Sequence, residues 1–251
     1  NRTIRAAMPP IFRLSAMRRP VGSGGVGGAV RSSIPALPGR IIRSCRNWRN
    51  RPILRRWHSG WMGKVGSTAH PIKAVLDACV LFPTVLREIL QGAAEAGLFL
   101  PVYSDRILRE WVLATAKLGP EAPAIAEGEA ALLRAAFPRG LIREQPQIEA
   151  RLLLPDPNDR HVLATAIASG ADAIVTFNAQ DFPGHVLAAE GITRRDPDGF
   201  LWELQSRHPE RMAGIVETVR AKAETIFGQT VTLKSLLKRA RLYRLAKALG
   251  A

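Results

Sequence analysis

The run LPDPNDRHVLATAIASGADAIVTFNAQDFP at residues 154–183 decides the fold. It opens on a turn in which Pro155 and Pro157 bracket Asp156, with Asp159 just beyond. Residues 161–169 read as a short buried helix, because apolar side chains fill most positions and Gly170 supplies a stop. Residues 173–177 read as a strand that ends in a polar loop carrying Asn178 and Asp181. A helix entered past acids, followed by a strand that runs out into another acid, places carboxylates at one edge of a sheet. Open α/β sheets bind their ligands at that edge, outside the carboxyl ends of the strands.

Upstream the texture is similar. Residues 72–82 form a near-continuous apolar run broken only by Lys73 and Asp77, short enough for a buried parallel strand. Residues 84–96 read as a helix, with Val85, Ile89, Leu90 and Ala93 on one face and Gly97 as its stop. Residues 98–103 are extended. Ser104 or Asp105 caps a helix reaching about residue 118, with Ile107, Leu108, Trp111 and Val112 turned inward. Residues 122–137 are helical, 141–143 a short strand, 191–195 an edge strand and 198–204 a short helix. This alternation predicts an α/β fold over residues 71–204, with a mostly parallel sheet flanked by helices.

Residues 205–251 predict a helical extension. An amphipathic helix over 210–227 has Met212, Ile215, Val216, Val219, Ala223 and Ile226 on one face. Thr232 then caps one last helix, whose apolar face is Leu233, Leu236, Leu237, Ala240 and Tyr243. Its other face is basic, with Lys234, Lys238, Arg239, Arg241, Arg244 and Lys247, and no acid occurs from residue 228 onward.

The formal net charge of +15 is unevenly placed. Of the 36 basic residues, 14 fall in residues 1–70, which hold no acid; that leaves 22 basic against 21 acidic residues, or +1, for the rest. The basicity belongs to the leader and is no argument that the folded body binds nucleic acid. Rich in Arg, Gly, Pro and Ser, the leader is expected to be disordered. A transit peptide, a basic arm for nucleic acid and a start site placed too early all fit it. The abrupt change of composition favours the last, with Met62 as initiator. Its one motif, Gly22-Ser23-Gly24-Gly25-Val26-Gly27, matches a dinucleotide fingerprint in letters only. No strand precedes it, no helix follows, and the next acid is Asp77. The two cysteines, Cys45 and Cys79, make neither a disulfide framework nor a zinc site, which fits a reducing, cytoplasmic setting. No apolar run approaches the ~20 residues of a membrane span.

Four acids stand apart from the solvated ones. Asp77 lies within an apolar strand near its carboxyl end, where an unpaired carboxylate costs several kcal/mol. Glu110 sits beside Trp111 on a helix. Asp159 opens the helix of the decisive run, and Asp181 follows its strand. Singly, each has a plain structural use: Glu110 pairs with Arg106 one turn back, Asp159 favours its helix dipole, and Asp181 caps a turn. Jointly they describe one pocket, since two strand ends and two helices of such a sheet converge at its carboxyl edge. Carboxylates gathered there repel unless divalent cations neutralise them, and an all-oxygen donor set selects Mg²⁺ or Mn²⁺. Two such ions about 4 Å apart activate a water and stabilise the leaving oxygen of a phosphodiester.

The segments VLDACVLFP at 75–83, SDRILREW at 104–111, DRHVLATA at 159–166 and IVTFNAQDF at 174–182, in that order and spacing, resemble the PIN-domain nuclease family over residues 72–204. Within it they look like the VapC-type toxins, in a subgroup with a C-terminal helical extension. The resemblance implies a Rossmann-like sheet and an acidic, Mg²⁺- or Mn²⁺-dependent endoribonuclease site. It assigns Asp77, Glu110, Asp159 and Asp181 as metal ligands and catalytic acids. Thr176 and Asn178 match the polar residues of the family's strand-end motif, and Ser104 matches the small polar residue ahead of the second acid. Arg160 is the expected phosphate contact. His161 is either a donor to phosphate or leaving group, or a surface histidine of the helix. An RNA substrate, a small antitoxin and a homodimer are the implied partners, with no membrane. Two departures stand out. Cys79 occupies a position that is often Asn in the family. Asp156 is an extra acid, expected to shape its turn rather than to bind metal. A PIN-like module without activity and a haloacid-dehalogenase-type phosphatase are the alternatives. The latter expects a second Asp where Cys79 stands.

Overall fold

The computed structural model describes residues 71–251; the leader, with its glycine motif, Cys45 and Met62, lies outside the described residues. Strand β1 (Lys73–Leu76) is shorter than its apolar run suggests. At Asp77 the backbone N–H still reaches across to Val175 O, but the Asp77 carbonyl already accepts from Val80 and Leu81 N–H. The run therefore divides into a strand and one turn of helix, α1 (Ala78–Leu81), both largely buried. Short apolar runs leave strand and buried helix indistinguishable by periodicity.

Helix α2 (Thr84–Glu95), strand β2 (Leu100–Ser104), helix α3 (Asp105–Thr115) and helix α4 (Ala122–Ala136) follow. The Ser104 hydroxyl caps α3 by accepting from Ile107 N–H. Strand β3 (Leu141–Ile142) precedes α5 (Pro146–Arg151), a helix the sequence did not predict. The decisive run then delivers a 3₁₀ turn (Pro157–Asp159), helix α6 (Arg160–Ser169) and strand β4 (Ala173–Val175). Gly170 ends α6 in the left-handed region at φ 60°, as a glycine C-cap should. A second unpredicted helix, α7 (Gly184–Ala189), leads to β5 (Thr193–Arg195).

All five strands are parallel, in the order β3-β2-β1-β4-β5. Val75 stands opposite Val102 on one side and Ile174 on the other. The chain lays down β1, β2 and β3 outward, then returns past β1 to add β4 and β5. The direction reverses between β1 and β4, so the carboxyl ends of those two strands lie side by side at the switch point.

Beyond the sheet come α8 (Pro197–Arg207) and α9 (Pro209–Phe227). Phe200 of α8 meets Phe99 edge-to-face at 5.1 Å. Helix α9 packs on α2 at Gly92, where a Cβ would stand 2.7 Å from Ile215 Cγ2. The single last helix expected from the sequence is two helices, α10 (Leu233–Arg239) and α11 (Tyr243–Ala248). The break is at Arg241, at φ 61°. The Asp198 carboxylate then restarts the helix by accepting from Arg244 and Leu245 N–H. The new register buries Leu242 and Leu245 and turns Tyr243 outward. Among the described residues no helix is long and apolar enough to cross a membrane.

Candidate active site

The switch point carries the acids in two tiers. The floor is Asp77, at the carboxyl end of β1 and only 7% exposed. Thr176 Oγ1, one residue past β4, donates to Asp77 Oδ2 at 2.6 Å. The Cys79 thiol donates to the same oxygen at 3.0 Å. Both donors are themselves held. Asn178 N–H donates to Thr176 Oγ1 at 2.9 Å, and Phe177 N–H points at Cys79 Sγ at 3.3 Å. Burial pushes the Asp77 carboxyl above its ordinary value, the Thr176 and Cys79 hydrogen bonds oppose that rise, and the charge of Glu110 adds to it. Burial also holds the Cys79 thiol well above its usual range, with the Asp77 charge in support, so it remains a protonated donor.

The rim is Asp156, Asp159 and Asp181, whose carboxylate oxygens lie within 4.8 Å of one another. Asp159 occupies the N-cap position of α6, yet its side chain makes no capping bond. Its Oδ2 instead accepts from Asn178 Nδ2 at 3.0 Å, and the same amide donates to Asp181 Oδ2. Asp156 performs the turn role expected of it, accepting from Asn158 N–H at 2.8 Å. Its position nonetheless brings it into the rim, which sequence spacing alone did not show. Burial, followed by the charges of Asp77, Asp181, Asp156 and Glu110, raises the Asp159 carboxyl from 3.8 to about 7. Of the four predicted acids, Asp159 and Asp181 share the rim, while Asp77 and Glu110 act on Asp159 through their charge. Among the described residues, no basic side chain forms an ion pair with Asp77, Asp156, Asp159 or Asp181.

Glu110 is different. Arg106 Nε reaches it at 3.4 Å, the pairing expected one turn back, and Arg106 also contacts Glu149 at 3.2 Å. His161 lies on its other side, Nε2 3.0 Å from Glu110 Oε1. That approach lacks the direction of a hydrogen bond, and neither ring nitrogen has a hydrogen-bond partner. A surface histidine was one sequence reading of His161. At 2% exposed it is instead buried, because α6 packs against β2 and α5. Arg160 is half-buried, and its Nε lacks a partner. Ser104 is 1% exposed and spends its oxygen on capping α3. Cys79 is the contributor that residue type hid. A thiol in a polar motif reads as a lost contact, whereas here it serves as a donor to Asp77.

The donor set is all carboxylate oxygen, gathered without counter-charge at a switch point. That is the chemistry of a hard divalent cation site, and the residues fit one. Open α/β sheets bind their ligands at such an edge. The PIN domain family model matches residues 73–180, and over that span the chain carries a PIN domain. PIN domains are in general metal-dependent nucleases. No curated protein and no solved structure matches the chain.

Proposed function

We propose that this protein is a Mg²⁺- or Mn²⁺-dependent endoribonuclease that hydrolyses RNA phosphodiesters, and that it is the toxin of a toxin–antitoxin pair. The observation that carries the nuclease reading is the uncompensated carboxylate rim beside Asp77, on a chain whose residues 73–180 match the PIN domain. Asp77, Asp159 and Asp181 hold the cation, and Glu110 completes the cluster directly or through water. A divalent cation held there would lower the pKa of a bound water and offset charge on the departing oxygen. The chain's own residues supply position. Thr176 and Cys79 orient Asp77, and Asn178 spans Asp159 and Asp181 so that both carboxylates face one another. Arg160, at the entrance of α6, is the proposed phosphate contact through its guanidinium. The toxin reading rests on the likeness to VapC-type proteins, with a small antitoxin covering the acidic edge.

The test is cleavage of single-stranded and structured RNA by the full chain with Mn²⁺, Mg²⁺ or EDTA, beside Asp77→Asn. Metal-dependent cleavage that the variant loses supports the nuclease. Cleavage in EDTA, or an unimpaired variant, sinks it. A small gene adjacent to this one, whose product blocks cleavage when mixed with the protein, supports the toxin; a protein that cleaves but finds no such inhibitor is a solitary nuclease.

A further inference from the structure

The acid-free C-terminus takes no part in the site so far described. All six of its cations, Lys234, Lys238, Arg239, Arg241, Arg244 and Lys247, are exposed. Arg244 approaches Asp196 at 4.0 Å; among the described residues the other five form no ion pair. Elsewhere in the fold, exposed arginines such as Arg109, Arg151 and Arg207 are matched to glutamates. Exposed Arg139 and Arg143 form no ion pair either, but only here do five such cations fall within 14 residues among the described residues, and in the chain they flank Tyr243, which is 58% exposed.

The fold places this surface with respect to the acids. Strand β5 is parallel to β4, and Thr176 N–H donates to Arg195 O, so the carboxyl end of β5 lies beside the strand-end loop of the acidic site. Helix α8 starts there, and its first turn carries Asp198, which holds the start of α11 through Arg244 and Leu245 N–H. The segment 241–244 is thereby anchored at the same edge of the sheet as the carboxylates, on the β5 side.

We propose that α10 and α11 form a docking platform for the RNA strand that enters or leaves the carboxylate site. This rests on the nuclease reading and adds to it where the substrate backbone lies. Charge complementarity selects a polyanion. An exposed tyrosine among cations offers a stacking face for an unpaired base, which favours a single strand over a duplex. An anionic membrane is disfavoured because the apolar face of the pair is already spent. Leu236, Leu237, Leu242 and Leu245 are all buried in the core, and Leu233 and Leu249 are partly buried against it, leaving no fully exposed leucine to insert.

The test measures binding of a fluorescent single-stranded oligoribonucleotide to the full chain in EDTA, where metal-dependent cleavage cannot occur, across a salt series. The variant Lys238→Gln/Arg239→Gln/Lys247→Gln removes three exposed, unpaired charges. Its Kd is expected to weaken by about tenfold or more, and the slope of log affinity against log salt to fall by about 2, from roughly 0.7 per phosphate contact on a single strand. Tyr243→Ala should weaken binding by about fivefold or more while leaving the salt slope in place, since stacking releases no counterions. Unchanged affinity and slope in the triple variant overturn the platform. So does wild-type binding to phosphatidylserine vesicles or polyglutamate as tight as to RNA. Asp159→Asn keeps the two readings apart. If it binds RNA in EDTA like wild type, the platform stands by itself; if wild type binds yet cleaves with no metal, the nuclease reading fails and the platform survives.

Discussion

The floor and the rim of the acidic edge hold carboxylates in opposite ways. Asp77 is the more deeply buried, but two side-chain donors converge on one of its oxygens. Asp159 is less buried, yet its neighbours are mostly other acids, and its carboxyl rises to about 7. An internal hydrogen-bond network supports the floor. At the rim the Asn178 amide bridges Asp159 and Asp181, and Asn158 donates to Asp156. Burial is the largest cause of the rise at both acids; hydrogen bonds oppose it at Asp77, whereas like charges add to it at Asp159.

The strongest way to test that difference is to neutralise each acid. Asp77→Asn and Asp159→Asn should each lower kcat on RNA by on the order of 10²-fold or more, as loss of a group that organises a metal does. In thermal melts of the metal-free protein they should part company. Asp159→Asn raises the Tm because it removes a charge from a repelling cluster, whereas Asp77→Asn does not, because it replaces an acceptor of two donors with a group that can oppose them. Equal Tm shifts in both variants would erase the distinction.

Metal addition comes next. A saturating divalent cation, at about 100 times its Kd, should stabilise the wild type by roughly 2.7 kcal/mol. Asp159→Asn should lose most of that gain. Thr176→Val acts on the floor instead. Removing the hydroxyl leaves Asp77 short of a donor and Asn178 N–H short of an acceptor, at a cost of about 1–3 kcal/mol measured by denaturant unfolding. Its metal-induced stabilisation should persist.

The pH response separates the tiers with a smaller effect. An acid whose folded pKa is raised binds its proton more tightly in the folded state, so stability falls as pH rises between the two pKa values. For Asp159 that window runs from 3.8 to about 7. Metal-free wild type should lose stability across it, Asp159→Asn should show a flatter profile, and bound cation should reverse the trend because it requires the carboxylate. The smallest effect is at Asp156. Asp156→Asn keeps an acceptor for Asn158 N–H, so stability should hold while the metal-induced Tm shift shrinks modestly. An unchanged shift would return Asp156 to a turn residue only.

Much of this edge was legible in the chain. Asp77 in an apolar run, and acids flanking a helix–strand unit, are conspicuous because strands and buried helices disfavour them. The parallel sheet followed from the alternation of elements. What stayed hidden depended on partners remote in sequence. The extent of β1 was misread because an apolar run is compatible with either strand or buried helix, and only the Asp77 carbonyl turning to Val80 and Leu81 N–H decides it. The break in the C-terminal helix needed Asp198, 46 residues before Arg244. His161 read as either surface or site because its own helix does not reveal what packs over it.

Residue type and spacing by themselves determined the class of fold and singled out a set of acids as candidates, since these follow from local pattern and donor chemistry. Only the tertiary structure decided which acids share a tier. It drew Asp156 into the rim, made the Cys79 thiol a donor to Asp77 and brought the basic C-terminus to the acidic edge. Those outcomes depend on strand order, because the return of the chain from β3 to β4 sets residues 77 and 176 side by side, and no local pattern encodes that return.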